Sequence, residues 1–458
     1  MSRKEEKLPE GWRMTTIGAH VKVGRGSSPR PIHKYISTSG IPWVKIADAT
    51  TSNTRFIEQT KEFITEEGRS TTVNKGDLIV SNSATPGIPK IMNIEACVHD
   101  GWLTFRDFKD LDKYYLYYFF LFYRKKLEHS AFGTVFVNLQ TATVKNTEFN
   151  LPPLPEQRAI ADVLSSLDDK IELLREENKT LEELAQTVFK EWFVKFNFPN
   201  EEGNTTPPCG HPSRGGEFHP AASLQERGIG YKDAGGKMVE SEMGMVPEGW
   251  RVGRLGEFIH EIIPGEWGKS ERDNDYSQKV ICLRGTDLPD IKFDSILRAP
   301  IRFIKTSKLI KSRLLKNDLI VEISGGTVGQ STGRVAYFIT ETSKRMKHEC
   351  VVSNFCKILR LENPQLMPFI YFYWEYLYDV GLFFNYENGT TGIQNLNLKG
   401  FLDYNLIFPS DKLAIMYSEF GQKILIKIQK NNNEIQTLTQ LRDTLLPKLM
   451  KGEVRVEG

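Results

Sequence analysis

Glycines and small hydroxyl side chains stand together at six places in this sequence, beside cations at four of them. Gly24-Arg25-Gly26-Ser27-Ser28-Pro29-Arg30 is followed by Lys34, and the stretch from Ser81 through Thr85 to Lys90 comes next. Gly133-Thr134 precedes Asn138. In the second half of the chain, Gly268-Lys269-Ser270 precedes Arg272, Ser324 to Arg334 encloses Thr327 and Gln330, and Gly389-Thr390 leads to Gln394-Asn395. Backbone amides, hydroxyls and Arg or Lys contact phosphates, while Arg, Asn and Gln can read base edges. The candidate nucleic-acid contacts are therefore Arg25, Ser28, Arg30, Lys34, Thr85, Lys90, Thr134, Asn138, Lys269, Arg272, Thr327, Gln330, Arg334, Thr390, Gln394 and Asn395. For any single residue, an ordinary turn with a solvated cation is the better reading. The parallel placement of the loops in the two halves of the chain makes them a set.

No catalytic constellation accompanies them. A methyltransferase would need an Asn/Asp-Pro-Pro-aromatic motif, and Asn150-Leu151-Pro152-Pro153 does not fit. No G-x-x-x-x-G-K-[ST] loop occurs, and in Gly24-Arg25-Gly26-Ser27-Ser28-Pro29 a proline stands where a dinucleotide loop needs its third glycine. Pro289-Asp290 lacks the acid-x-Lys of a metal-dependent nuclease. Cys209, His211 and His219, a lone Cys with two His in a linker, read as incidental rather than as a zinc site, and Cys350 and Cys356 read as core thiols on buried strands. The expectation is no catalytic residue, no metal and no cofactor bound by this chain.

The elements that must position these loops are duplicated. Pro9-Glu10-Gly11-Trp12 returns as Pro247-Glu248-Gly249-Trp250, and Asp77-Leu78-Ile79-Val80 returns as Asp318-Leu319-Ile320-Val321. Gly133-Thr134 matches Gly389-Thr390, and Asn138-Leu139 matches Asn395-Leu396. The order is shared and the separation only grows along the chain, as a tandem duplication with insertions in the second copy requires. Each copy opens with β-branched and aromatic runs broken by Gly and Pro, plus one aromatic run (Tyr114–Tyr123 and Phe369–Tyr378) suited to a short buried helix. The fold class is α+β.

Each copy closes with a different period. Leu167, Ile171, Leu174, Asn178, Leu181, Ala185, Val188 and Trp192 follow steps of four and three, as do Ile424, Ile428, Asn431, Ile435, Leu438, Arg442, Leu445 and Leu449. That is the a/d stripe of a coiled coil, which one helix cannot satisfy alone. Pro155-Glu156 marks the start of the first helix and Ser410 is a candidate N-cap for the second. Paired antiparallel about a pseudo-two-fold axis, the helices would bring Asn178 to Asn431, Leu174 to Ile435, Ile171 to Leu438 and Leu181 to Ile428. The alternative leaves both asparagines solvated at the edge of the seam. The expected boundaries are a first domain over 1–153, a helix over 154–198, a linker over 199–245, a second domain over 246–409 and a last helix over 410–458. The linker, rich in Gly, Pro, Ser and charge, is expected to be mobile in part.

The 458 residues, 40% hydrophobic and 26% charged, suit an ordinary globular protein. No apolar run reaches the roughly 18 residues of a membrane span. Met1 to Lys7 has no apolar signal-peptide core, and five cysteines without framework spacing suit a reducing compartment, so the cytoplasm is expected. A net charge of +2 neither requires nor excludes nucleic acid.

Taken together, Leu8-Pro9-Glu10-Gly11-Trp12, Val246-Pro247-Glu248-Gly249-Trp250, Leu154-Pro155-Glu156-Gln157-Arg158, the segment Tyr231 to Glu242 and the segment Leu441 to Gly452 resemble the specificity (S) subunits of Type I restriction–modification enzymes. The second helix departs from the pattern, opening Pro409-Ser410-Asp411-Lys412, and Glu201 to Gly230 reads as an insertion. The resemblance implies two target-recognition domains separated by two long conserved helices forming an antiparallel coiled coil. Each domain would read one half of a bipartite double-stranded DNA site, asymmetric because the copies differ. It further implies a subunit without catalysis that docks two methylation (M) subunits carrying S-adenosylmethionine. Restriction (R) subunits, using ATP and magnesium, would join them in the full complex. Two other readings stand beside it: an enzyme in its own right, and a two-headed coiled-coil adaptor that binds only proteins.

Overall fold

The computed structural model describes residues 8–456 apart from residues 53, 131–138, 200–230, 234, 294–297, 326–328 and 390–391. The chain divides into two compact units, one of residues 1–172 with 437–458 and one of residues 173–436. Both dividing points fall inside the two long helices, Leu154–Phe189 and Asp411–Lys451, so each unit holds a mixed α/β head and half of each helix.

In the first unit a ribbon pairs Arg13–Thr16 antiparallel with Glu148–Leu151, tying the head of the copy to the strand that leads into the long helix. One five-stranded sheet runs in the order Lys22–Arg25, Trp102–Arg106, Leu78–Ser81, Pro89–Met92, Phe56–Ile57. The other contains the parallel pairing of Ile41–Val44 with Ala96–Val98. The aromatic run forms the helix Lys113–Ser130 and buries Tyr115, Tyr117, Tyr118, Phe119 and Phe120. Asp112 starts it, accepting from the backbone amides of Tyr114 and Tyr115.

The second unit repeats this plan. Arg251–Arg254 pairs with Asn405–Phe408 in the equivalent ribbon. Ile259–Pro264, Cys356–Leu361, Asp318–Glu322 and Val335–Phe338 follow the same strand order, and Gln278–Leu283 pairs in parallel with Cys350–Val352. Cys350 and Cys356 are buried on these strands, where burial pushes both thiols up to about 12. The helix Met367–Asp379 buries Phe369, Tyr371, Phe372 and Trp374. At the end of the expected linker, Met238–Ser241 and Gly244–Pro247 form a hairpin, and Tyr231 stacks on Phe198 with ring centroids 4.6 Å apart. Its Glu201 to Gly230 portion, with Cys209, His211 and His219, lies outside the described residues.

The two long helices pair antiparallel within each unit. In the second unit Asn431 Nδ2 donates to Asn178 Oδ1 at 2.9 Å, and Asn178 Nδ2 donates to Asn432 Oδ1 at 2.8 Å. Asn432 in turn donates to the carbonyl of Lys292 at 3.0 Å. All three asparagines are buried, so the solvated alternative does not hold. Ile171, Leu174, Leu181, Ile424, Ile428 and Ile435 are buried as the stripe requires, whereas Leu167 and Leu438 are half-buried. In the first unit the seam position Arg442 donates to Asp168 Oδ1 at 2.6 Å, and Tyr118 donates its hydroxyl to the other oxygen of Asp168. Ser410 caps the last helix, its Oγ accepting from the amide of Leu413.

Candidate nucleic-acid interface

The two domain-opening tryptophans show how each head is anchored. Trp12 Nε1 donates to Glu156 Oε2 at 2.9 Å, and Arg455 grips the same carboxylate through Nε and Nη2. Gln157 beside it donates to the carbonyls of Asp110 and Pro152 and accepts from the amide of Asp112. Glu156-Gln157 is thus a joint between the start of the helix and the head. Trp250 instead packs among Phe193, Phe196 and Phe198, with ring centroids 5.2 to 6.0 Å away.

On the first head, three expected residues converge on one acid. Arg25 Nε donates to the carbonyl of Asp100 at 2.8 Å, Ser28 Oγ to Asp100 Oδ1 at 2.8 Å, and Arg30 lies 3.5 Å from Asp100 Oδ2. Asn82 Nδ2 also reaches the Asp100 carbonyl, at 3.3 Å, which brings the second expected loop to the same place. The Ser28 hydroxyl holds the Asp100 carboxyl below its ordinary range, and burial holds the neighbouring His99 imidazole below its own, favouring the neutral ring. Thr85 is half-buried in the turn, its carbonyl accepting from Ser81 Oγ. Lys34 is exposed on the short turn Ile32–Lys34, apart from the Asp100 contacts.

Lys90 is a correction. It lies on the buried strand Pro89–Met92 rather than in a loop, and its ammonium donates to the carbonyls of Ser52 and Thr54. Those bonds are what make burying the charge tolerable, and they leave the group facing inward.

On the second head, Gln394 and Asn395 lie on the strand Gln394–Leu396, which pairs with Ser324–Gly325. This short sheet joins two of the expected loops. Arg334 Nε and Nη2 donate to both oxygens of Glu322 at 2.8 and 2.6 Å. Gln330 and Arg272 are exposed. Lys269 pairs with Asp273 at 2.6 Å, its nitrogen 4.4 Å from the centroid of the Tyr276 ring. Thr134, Asn138, Thr327 and Thr390 lie outside the described residues.

A cleft of about 520 Å³ opens on this head, lined by Trp267, Arg284, Glu322, Arg334, Asn354, Phe355 and Ile393 among others. Phe355 and Ile393 are more than half exposed, at 55% and 53%. Most of this lining escapes a reading of single loops, as does Asp100 on the first head. A shared signal does exist. A Cβ on Gly26 would fall 2.1 Å from the carbonyl oxygen of His99, and one on Gly265 would fall 1.9 Å from that of Ser353. Both heads therefore require glycine where the chain leaving one strand crosses the end of the parallel pair. The crossings carry His99-Asp100-Gly101 in one copy and Ser353-Asn354-Phe355 in the other.

Among the described residues, no group of three His, Cys, Asp or Glu side chains could hold a metal, and no helix is long and apolar enough to cross a membrane.

Comparison with known proteins agrees with this duplicated plan. Residues 9–183 and 247–446 each match the Type I restriction modification DNA specificity domain. The chain is 25% identical to the Type I restriction enzyme MjaIX specificity subunit of Methanocaldococcus jannaschii, covering 98% of this chain and 95% of that protein. It is 24% identical to the HindI specificity subunit of Haemophilus influenzae over 72% of this chain and 74% of that one. A crystal structure of a Type-I restriction-modification system S subunit from M. genitalium shares the fold, with a TM-score of 0.52, 16% identity and 98% of each chain covered. The chain belongs to the Type I restriction modification DNA specificity domain family and carries that domain twice.

Proposed function

We propose that this chain is the DNA-sequence-recognition subunit of a cytoplasmic Type I restriction–modification complex and performs no catalysis itself. Each head reads one half of a bipartite, asymmetric site in double-stranded DNA, and the helix pair sets the spacer. Two methylation subunits dock on the chain and bring S-adenosylmethionine, and restriction subunits bring ATP and magnesium. The observation that carries this reading is one backbone crossing built twice with different side chains on it. Arg25, Ser28 and Arg30 gather around Asp100 in one head, whereas Arg284, Arg334, Asn354 and Phe355 line the cleft of the other. Equivalent loops with unlike donors and apolar groups suit two unlike base sequences. The last helix, 41 residues long, would span ~60 Å, enough to hold two contacts about one DNA turn apart, ~34 Å.

The test is DNA binding by the chain co-purified with its methyltransferase subunits. Tight binding to one split sequence, a steep salt dependence and at least about 10³-fold weaker binding to random duplex are expected. Equal affinity for all duplexes, or no DNA binding by an intact complex, would leave the protein-binding adaptor as the better reading.

A further inference from the structure

We infer that Arg334 is a guanine-reading residue of the second head and that Glu322 is the residue that positions it. This inference rests on the recognition function proposed above. Arg334 offers its Nε–Nη2 edge to both oxygens of Glu322, at 2.8 and 2.6 Å. The Glu322 side chain is only 5% exposed, while Arg334 is 20% exposed and lines the open cleft. Backbone pairing holds both ends of the contact, since the Glu322 amide donates to the Arg334 carbonyl at 2.9 Å beside the register pair Val321 and Val335. Gly285 completes the setting: a Cβ there would fall 2.3 Å from Glu322 Oε1, so only glycine leaves room for the carboxylate in this position.

With one edge of the guanidinium held, its Nη1 end has no partner among the described residues. An arginine fixed in this way keeps two parallel N–H donors aimed outward and gives up little rotamer freedom on binding. Guanine is the base whose major-groove edge presents two adjacent acceptors, N7 and O6, whereas adenine sets an amino donor beside its N7. Trp267, Phe355 and Ile393 wall the same cleft, where burial against a base edge would strengthen such bonds. Among the described residues the first head has no counterpart. Its equivalent strand ends in Ser81, whose hydroxyl is engaged by the carbonyl of Thr85.

The experiment measures methyl transfer by the full chain with its methyltransferase subunits on duplexes in which each base pair of the target is replaced in turn. The wild-type target is expected to contain a guanine at which replacement is strongly penalised. In Arg334→Lys, discrimination at that pair should fall about tenfold or more, with the other positions unchanged. Lysine keeps the charge facing Glu322, so the head should still fold. Glu322→Gln should relax the same pair and no other, an effect that a general loss of structure would not produce. Unchanged discrimination at every position in both variants would overturn the inference, as would a uniform loss at all positions, the mark of a phosphate contact. A wild-type complex showing no split target would instead refute the recognition function itself.

Discussion

The two copies solve the same anchoring problem with different chemistry. Trp12 is fixed by a hydrogen bond to a buried carboxylate that a guanidinium also holds, whereas Trp250 is fixed by a cage of aromatic rings. The contrast extends inward. Where the first head packs on the long helices, Asp168 has Arg442 and the Tyr118 hydroxyl. Where the second head packs on them, Glu182 has the Tyr371 hydroxyl at 3.0 Å, and the nearby ammonium of Lys292 pairs with Glu375 at 2.9 Å. One oxygen of Glu182 has no hydrogen-bond partner among the described residues. Duplication preserved the strand order and the helix pairing, which backbone bonds and apolar stripes enforce. It did not preserve the polar joints, which need only be satisfied in some way.

The largest effect is expected from Arg442→Ala. Among the described residues it leaves buried Asp168 with only the Tyr118 hydroxyl, and it should cost about 3 kcal/mol. Hydrogen exchange should then rise in the helix Lys113–Ser130 and stay unchanged in Met367–Asp379. Equal loosening of both would erase the contrast between the units.

Glu182 supplies a pH test confined to the second unit. Burial, opposed by Lys292 and reinforced by Glu375 and Asp379, raises its carboxyl to about 7. The folded state therefore holds a proton that the unfolded chain releases near the ordinary carboxylate value. Stability from this group is present below that value, declines as pH rises toward 7, and changes no further above it. Glu182→Gln keeps an acceptor for Tyr371 without the charge. It should remove this decline and make the second unit up to ~3 kcal/mol more stable at pH 8. Denaturation curves at pH 5 and pH 8 that shift equally for both proteins would contradict the assignment.

The tryptophans come next. Trp12→Phe loses a hydrogen bond to a charged group and should cost about 2 kcal/mol, whereas Trp250→Phe loses part of a ring cluster and should cost about 1 kcal/mol. Urea denaturation of each variant checks the order. The smallest effect concerns two lysines of the first head. Lys34→Ala should leave stability unchanged and reduce the slope of log affinity against log salt by about 1 if Lys34 meets a phosphate. Lys90→Ala should leave that slope unchanged and destabilise the head, because its ammonium is buried against the carbonyls of Ser52 and Thr54.

What could be read without coordinates follows the same division. The Asn178–Asn431 contact was legible because a heptad stripe and an antiparallel repeat leave few registers. Asn432 was not, since it stands one position off the stripe and is recruited by the Lys292 carbonyl, far away in sequence. Cation-rich loops could be recognised, yet Asp100, which gathers Arg25, Ser28 and Arg30, depends on a strand crossover that places residues some seventy apart together. Lys90 misled because the Pro86-Gly87 pair and Pro89 just before it look like a loop. In the fold, Gly87 at φ 84° makes the turn and the strand begins at Pro89.

The most direct test of two independent reading heads is to exchange one. Residues 246–409 would be replaced by the matching domain of a related specificity subunit, and methylated bases mapped in host DNA alongside the unaltered complex. The account predicts that one half of the split target changes while the other half and the spacer remain. A target that changed in both halves, or in neither, would contradict it.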